Sequence, residues 1–218
     1  MALSKVDYNS LNVTAAASKA LKWNSSADGF ETGDIAGALV LLETQTASGD
    51  GTIDFTDNID STYSEYIFTF TDIHPETNRA IFQFQSDTGT NTSYNIAATA
   101  SYFQSYHKEN DGGAAFGYNG THDDDQSTSF LNLTVQNSNN NDSCASGTLH
   151  IFNPSSSVFV KHFISRFNHM YEESGGDEYS WDNYKAGYFN TTTALTRFQF
   201  KYSTGDIDAG TFKMYGVT

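Results

Sequence analysis

Acidic and aromatic side chains are concentrated in the segment YEESGGDEYSWDNYKAGY, residues 171–188. Carboxylates can transfer protons or attack a glycosidic carbon, and aromatic rings offer a flat apolar face on which a sugar can stack. The candidate glycan contacts in this segment are Tyr179, Trp181, Asp182 and Tyr184. The pattern also fits a glycoside hydrolase or a loop that packs its own rings, because one loop does not fix the distance between two acids.

Two histidines flank a turn in the stretch LHIFNPSSSVFVKHF. Its Asn-Pro pair favours a turn because proline presets φ and needs no N–H partner there. A loop over residues 153–157 would place His150 opposite Val160, with His162 diagonal to His150 on the same face. A metal site requires a third ligand and supporting hydrogen bonds, which this spacing does not supply. We therefore expect both histidines to be polar residues of a sheet.

Three consecutive aspartates, Asp123–Asp125, could suit calcium, which prefers several oxygen ligands. They lack the alternating spacing that directs carboxylates to one point, so a solvated acidic loop is the simpler expectation. The chain also has no nucleophile elbow, phosphate-binding loop, dinucleotide fingerprint or zinc-type spacing of Cys and His. The sequence predicts no catalytic residue, no metal ligand and no cofactor.

Composition restricts the class of partner. The 218 residues carry a net charge of −15, with only 11 Lys and Arg, which argues against nucleic acid. The single cysteine, Cys144, permits no internal disulfide, so the chain can fold in a reducing cytoplasm. No apolar run approaches the roughly 18 residues of a membrane span, and the first residues do not have the pattern of a signal peptide. We expect no membrane insertion.

Strict alternation of apolar and polar residues predicts half-buried antiparallel strands along most of the chain. In EYIFTFT, for example, Tyr66, Phe68 and Phe70 share one face. About ten such segments, separated by turn signals, predict an all-β fold: an antiparallel β-sandwich or jelly roll. The predicted strands cover residues 39–45, 51–56, 65–71, 79–85, 94–107, 129–135, 149–152, 158–163, 185–191, 196–203 and 210–217.

Residues 1–37 differ from the rest and are predicted to form an extended N-terminal arm or linker that precedes a β-sandwich domain over residues 38–218. An Ala-rich piece is followed by Asp28-Gly29 and Thr32-Gly33, both of which are typical of turns. A frayed terminus with a short helix is the alternative. Between Lys108 and Lys161, polar and acidic tracts predict long surface loops around one strand.

Several segments resemble virion structural proteins of tailed bacteriophages, particularly marine and cyanobacterial phages. They are ALKWNSSADGFETGD, IDSTYSEYIFTFTDIHPETNRAIFQFQ, FNPSSSVFVKHF and GYFNTTTALTRFQFKYSTGDIDAGTFKMYGVT. The first resembles linkers of phage tail fibres, and the last resembles the β-strand carboxyl end of fibre and capsid-surface proteins. The likeness covers most of residues 20–218, and it carries over no catalytic residue.

The resemblance implies a virion protein that is synthesised in the host cytoplasm and displayed on the particle, as a tail fibre, another appendage or a capsid decoration. It implies contacts with other virion proteins and a homo-oligomer, with a trimer favoured, and it is compatible with attachment to a host-surface glycan. We expect a protein that acts by assembly and binding and is not an enzyme. The alternative is a carbohydrate-binding module or a polysaccharide-degrading enzyme on a jelly-roll fold.

Overall fold

The computed structural model describes residues 19–34, 39–173 and 176–217. The chain divides into two compact units, residues 1–38 and 39–218. The described residues form fifteen β-strands, all pairings between them are antiparallel, and none of these residues is helical. The predicted all-β class is confirmed, whereas the finer jelly-roll connectivity stays a prediction.

The described part of the first unit is a β-hairpin. Strand β1 (Lys19–Trp23) pairs with β2 (Phe30–Asp34), and the rings of Trp23 and Phe30 stack with centroids 4.4 Å apart. The predicted turn at Asp28-Gly29 lies between the strands, but Thr32-Gly33 lies within β2, so the prediction of a second turn there was wrong. The other residues of the predicted arm, 1–18 and 35–37, lie outside the described residues, and the arm stays a prediction.

The second unit contains thirteen strands in its described residues. They are β3 (Leu39–Ala47), β4 (Ile53–Phe55), β5 (Glu65–Pro75), β6 (Ala80–Thr88), β7 (Ala98–Lys108), β8 (Ala114–Tyr118), β9 (Asp124–Ser127), β10 (Leu131–Asn137), β11 (Ala145–Phe152), β12 (Lys161–Glu172), β13 (Glu178–Phe189), β14 (Leu195–Tyr202) and β15 (Ile207–Val217).

These strands form two sheets of unequal width. Within the described residues, the larger sheet has the order β3-β15-β5-β11-β12-β13-β7-β8, with β9 also paired to β7. The smaller sheet has the order β10-β6-β14-β4. Rings of the two sheets contact each other between the layers, so the unit is a β-sandwich whose smaller sheet is opposed by only part of the larger one.

The core lies between the sheets and is dominated by phenylalanine. Phe70 of β5 packs against Phe82 of β6 and Phe200 of β14, with ring centroids 5.6 and 5.0 Å apart. Phe68 packs in the same way on Phe198, at 5.4 Å. All five rings are buried, as the period of two in the sequence predicts. Edge-to-face and tilted contacts of this kind add about 0.5–1.5 kcal/mol per pair beyond the burial of apolar area.

The region between Lys108 and Lys161 differs from its prediction. The tracts predicted to be long loops contain the strands β8 and β9, and β11 begins at Ala145, before the predicted strand over residues 149–152. The strands β8 and β9 have mostly exposed side chains and are held by pairing with β7. They were missed because their sequences, AAFGY and DDQS, show no alternation of buried and exposed residues.

The hairpin of β11 and β12 also departs from its predicted register. The connecting loop covers residues 153–160, so His150 lies opposite Ile164 and not opposite Val160. The predicted turn after Phe152 is present, because the N–H of Ser156 donates to the carbonyl of Asn153 at 3.1 Å. The next strand begins only at Lys161, and not at residue 158 as predicted. The longer loop changes which residues of β11 and β12 lie opposite each other.

Candidate functional site

The predicted glycan contacts lie on a strand and not in a loop. Tyr179, Trp181, Asp182 and Tyr184 all belong to β13, which is paired with β12 on one side and with β7 on the other. Because side chains alternate along a strand, the four residues cannot share one face. Tyr179 and Trp181 lie on the face of the larger sheet that carries the core, and Asp182 and Tyr184 lie on the opposite face. The expectation of a single loop site was wrong on this point.

On the outer face, Asp182 is occupied by its neighbours. Its carboxylate accepts hydrogen bonds from Arg166 Nη2 at 2.8 Å and from Nε at 3.2 Å, and also from the Tyr184 hydroxyl at 2.7 Å. The Arg166 guanidinium also lies 5.2 Å from the Tyr184 ring centroid. Both carboxylate oxygens of Asp182 are therefore engaged by neighbours on this face of the sheet.

On the inner face, Trp181 borders a cleft of about 410 Å³. The cleft lies where β10 and β6, at one edge of the smaller sheet, face β7, β12 and β13 of the larger sheet. A loop between β8 and β9 forms a further wall. The lining residues are Ile81, Gln104, Asn119, Thr121, His122, Val135, Gln136, Tyr171 and Trp181.

Aromatic rings form one wall of this cleft. Tyr171 lies edge-on to Trp181, with centroids 5.3 Å apart and planes at 79°. Tyr106 and Tyr179 support the indole at 4.6 and 5.7 Å. Because the neighbouring rings hold the indole, it presents a preformed apolar surface, which is typical of small-molecule sites.

The indole nitrogen of Trp181 is buried and has no hydrogen-bond partner among the described residues. A buried N–H without an acceptor costs about 1–3 kcal/mol. An acceptor from outside the chain, such as a water or a ligand oxygen, can remove this cost if a neighbouring side chain of the lining moves aside to admit it.

The polar wall is made of uncharged groups whose hydrogen-bonding roles are partly fixed. Gln104 Oε1 accepts from Asn119 Nδ2 at 2.9 Å, so the amide nitrogen of this lining residue is a further donor. His122 Nδ1 lies 2.7 Å from Asn132 Nδ2, which donates to it, so the imidazole proton is on Nε2. Burial lowers the pKa of His122, and the adjacent Lys185 ammonium lowers it further, so the ring is neutral at pH 7.

A buried polar network supports the floor of the cleft. The Tyr102 hydroxyl donates to Asn183 Oδ1 at 2.6 Å, and Asn183 Nδ2 donates to His169 Nδ1 at 2.9 Å. His169 Nε2 in turn donates to the carbonyl oxygen of Gln136 at 3.1 Å. Burial lowers the pKa of His169 to about 3, so this histidine is neutral. The network links β7, β13, β12 and β10, and it positions the backbone of Gln136, whose side chain lines the cleft.

Lys185 contacts the loop between β8 and β9, which forms one wall of the cleft. Its side chain is fully buried, Nζ donates to the carbonyl oxygen of His122 at 2.8 Å, and it contacts the Asp124 carboxylate. Burial lowers the pKa of Lys185 and raises the pKa of Asp124, because each charge has lost water. The pair therefore stabilises the loop only while both partners are present.

The other candidate positions do not converge. His150 and His162 lie on β11 and β12, as the sequence predicts. His150 pairs with Glu65 Oε1 at 2.6 Å, while His162 lies 5.8 Å from the Tyr188 ring. Within the described residues, no three His, Cys, Asp or Glu side chains are arranged to hold a metal ion.

The aspartates Asp123–Asp125 point to different partners. Asp123 accepts from the Tyr118 hydroxyl at 2.6 Å, Asp124 contacts Lys185, and Asp125 is exposed. The predicted loop is partly a strand, because Asp124 and Asp125 begin β9. The lining residues Gln104, His122 and Gln136 were not identified from the sequence, since no motif or spacing connects them.

In the described residues, no helix is both long and apolar enough to cross a membrane. Comparison of the chain with protein-family models, with curated proteins and with solved structures finds no match.

Proposed function

We propose that the protein is a structural and attachment protein displayed on the surface of a phage particle, and that it binds a host-surface glycan in the cleft beside Trp181. The phage context comes from the resemblance of four sequence segments, together covering strands in both units. The geometry supports a role in which the β-sandwich is a rigid scaffold and the cleft is its recognition site. The protein acts by assembly and binding.

The observation that carries the glycan assignment is the composition of the cleft. It places the Trp181 and Tyr171 rings beside the amides of Gln104, Asn119 and Gln136. A sugar ring has an apolar face made of C–H groups and a rim of hydroxyls. Rings and neutral amides are complementary to these two features, since one buries apolar area and the other replaces hydrogen bonds to water.

Binding is favoured over hydrolysis by the same lining. Glycosidases need two carboxyl groups, about 5 to 9.5 Å apart, on either side of the bond that is cleaved. Within the described part of the chain, no acid lines this cleft. A polysaccharide-degrading enzyme is therefore the less supported alternative, whereas a carbohydrate-binding module with no particle attached would use the same site.

Assembly gives such a site its strength. One shallow site binds a sugar weakly, but several copies on one particle raise the effective concentration and convert weak contacts into stable attachment. We propose a homo-oligomer, with a trimer favoured, that is made in the host cytoplasm and contacts other virion proteins through residues 1–37. The net charge of −15 is consistent with partners other than nucleic acid.

Two measurements test this function. Mass spectrometry of purified particles, with imaging of the labelled protein, should place the chain at the particle surface. The purified full-length protein should bind an immobilised glycan. Trp181→Ala should abolish this binding while the variant stays folded at the temperature of the assay. Absence from the particle would overturn the virion role, and equal glycan binding by Trp181→Ala would overturn the cleft as the binding site.

A further inference from the structure

The cleft is uncharged, although the chain around it is strongly acidic. Among the described residues that line it, the only titratable side chains are His122 and Tyr171. Asn132 satisfies His122 Nδ1, and the buried ring is neutral at pH 7. A ligand in the cleft therefore meets dipoles and rings, but no formal charge.

Charged groups near the cleft are engaged elsewhere. Lys108 Nζ pairs with Glu173 at 3.0 Å, and Lys185 contacts Asp124. The Arg79 guanidinium lies 5.6 Å from the Tyr171 ring centroid and donates to the carbonyl of Glu172 at 3.3 Å. A bound carboxylate would thus lose its water without gaining a dedicated cation, which is energetically unfavourable.

The donors in the cleft determine what a ligand must present. The Gln104 amide nitrogen and His122 Nε2 both offer N–H groups, because Asn119 and Asn132 donate to the other polar atom of each side chain. A ligand must therefore offer acceptor oxygens beside an apolar face that can lie on Tyr171 and Trp181. Sugar hydroxyls meet this requirement and lose less on desolvation than a carboxylate does.

We infer that the cleft is selective for an uncharged sugar ring, because its lining offers rings and neutral polar groups but no cation. The N–H groups of Gln104 and His122 bind this ring by donating to its oxygens. The inference rests on the proposed function, because it specifies the class of glycan that the site binds. Acidic sugars such as uronates are excluded by the lack of a free cation in the lining and by the −15 net charge of the chain.

The test uses the full-length protein carrying Trp23→Phe. The chain has only two tryptophans, so this change leaves Trp181 as the sole indole reporter. Fluorescence titrations would compare neutral oligomers of glucose, galactose and mannose with the matched oligomers of glucuronate, galacturonate and mannuronate. Each pair differs only in the oxidation of C6. We expect at least one neutral oligomer to bind, and its uronate to bind at least tenfold more weakly.

A second measurement probes the donors. Gln104→Glu keeps the shape of the side chain but replaces the amide nitrogen with an oxygen, and we expect about a tenfold loss of affinity for the neutral oligomer, as for one lost hydrogen bond. Ser101→Asp is the matched control, since it adds the same charge on the opposite face of β7 and should leave affinity within twofold.

The outcomes separate the two proposals. If a uronate binds as tightly as its neutral partner or more tightly, the inference of neutral selectivity is overturned while glycan binding stands. If no oligomer of either class changes Trp181 fluorescence or competes with the immobilised glycan, the proposed function itself fails. Equal affinity of Gln104→Glu and the parent would overturn the role assigned to the Gln104 donor.

Discussion

Acidification should weaken the sandwich through one buried histidine. His169 is 1% exposed and is held neutral, with Nδ1 accepting from Asn183 and Nε2 donating to Gln136. Burial lowers its pKa to about 3 from an ordinary value of 6.5, although the nearby Asp182 carboxylate acts in the opposite direction. Protonation in the folded state would place an unpaired charge in the interior and remove the acceptor for Asn183.

The sign and magnitude follow from linkage. The unfolded chain binds a proton at this histidine below about pH 6.5, while the folded chain does not do so until about pH 3. The free energy of unfolding therefore falls by about 1.4 kcal/mol for each pH unit across this window. The full effect is about 5 kcal/mol, which is comparable to the whole stability of many domains. Above pH 6.5 the contribution is complete and constant.

Urea unfolding at pH 7, 6, 5 and 4, followed by tryptophan fluorescence, measures this dependence. The matched variant is His169→Gln, because glutamine can donate to the Gln136 carbonyl and accept from Asn183 but cannot be protonated. His122 also has a lowered pKa and contributes to both proteins, so it cancels in the difference. Below pH 6.5, the unfolding free energy of the parent should fall relative to that of the variant by about 1.4 kcal/mol for each pH unit.

Parallel profiles of the parent and His169→Gln between pH 6.5 and 4 would refute the reasoning. They would mean that His169 is protonated in the folded state within this pH range, and hence that water reaches the buried network. A loss of stability confined to the region below pH 4 would point to carboxylates instead.

Three further predictions concern the core, the loop and the arm. Phe70→Ala should lower the unfolding free energy in urea by about 3–5 kcal/mol, whereas Phe116→Ala, at a side chain 75% exposed, should change it by less than about 0.5 kcal/mol. Lys185→Met should lower the unfolding free energy by about 3–5 kcal/mol at neutral pH, because it leaves Asp124 buried and unpaired. Adding Asp124→Asn should recover part of this loss. No recovery in the double variant would contradict the pairing. Deletion of residues 1–37 should leave a folded sandwich, because the buried core residues in the described part of the chain begin at Ala47. The deletion should abolish incorporation into particles, and normal incorporation would argue against anchoring.

The predictions from sequence succeeded where the necessary information was local. Tyr66, Phe68 and Phe70 alternate with polar residues, so the sequence predicts both the strand and its buried face, and all three are buried in β5. The strands β8 and β9 lack this pattern and exist because β7 offers them an edge to pair with. Such pairing depends on a distant segment, which a local pattern does not report.

The predicted site shows the same division. Trp181 was identified because rings and acids cluster around it, but its grouping with Asp182 and Tyr184 assumed a loop. β12 and β7 pair with residues 178–189 on both sides and convert this stretch into a strand, which sends neighbouring side chains to opposite faces. The polar partners Gln104 and Gln136 could not be found from the sequence, because their approach depends on the order of strands in two sheets.

The position of the cleft follows from the unequal width of the two sheets. In the described residues, a four-stranded sheet lies against a nine-stranded one, so it covers only part of the inner face of β13 and β7. Phe189, Ala98 and Ala100 of these strands belong to the core, whereas Trp181 and Gln104 do not. Core phenylalanines line the covered part, whereas Trp181, Tyr171 and Gln104 line the part beyond β10. The loop held by Lys185 closes this region only partly, and a cleft remains. The aromatic core therefore determines where the cleft lies, and the loop together with the edge of β10 determines what it can bind. Substitutions in that loop should change ligand preference without changing the fold.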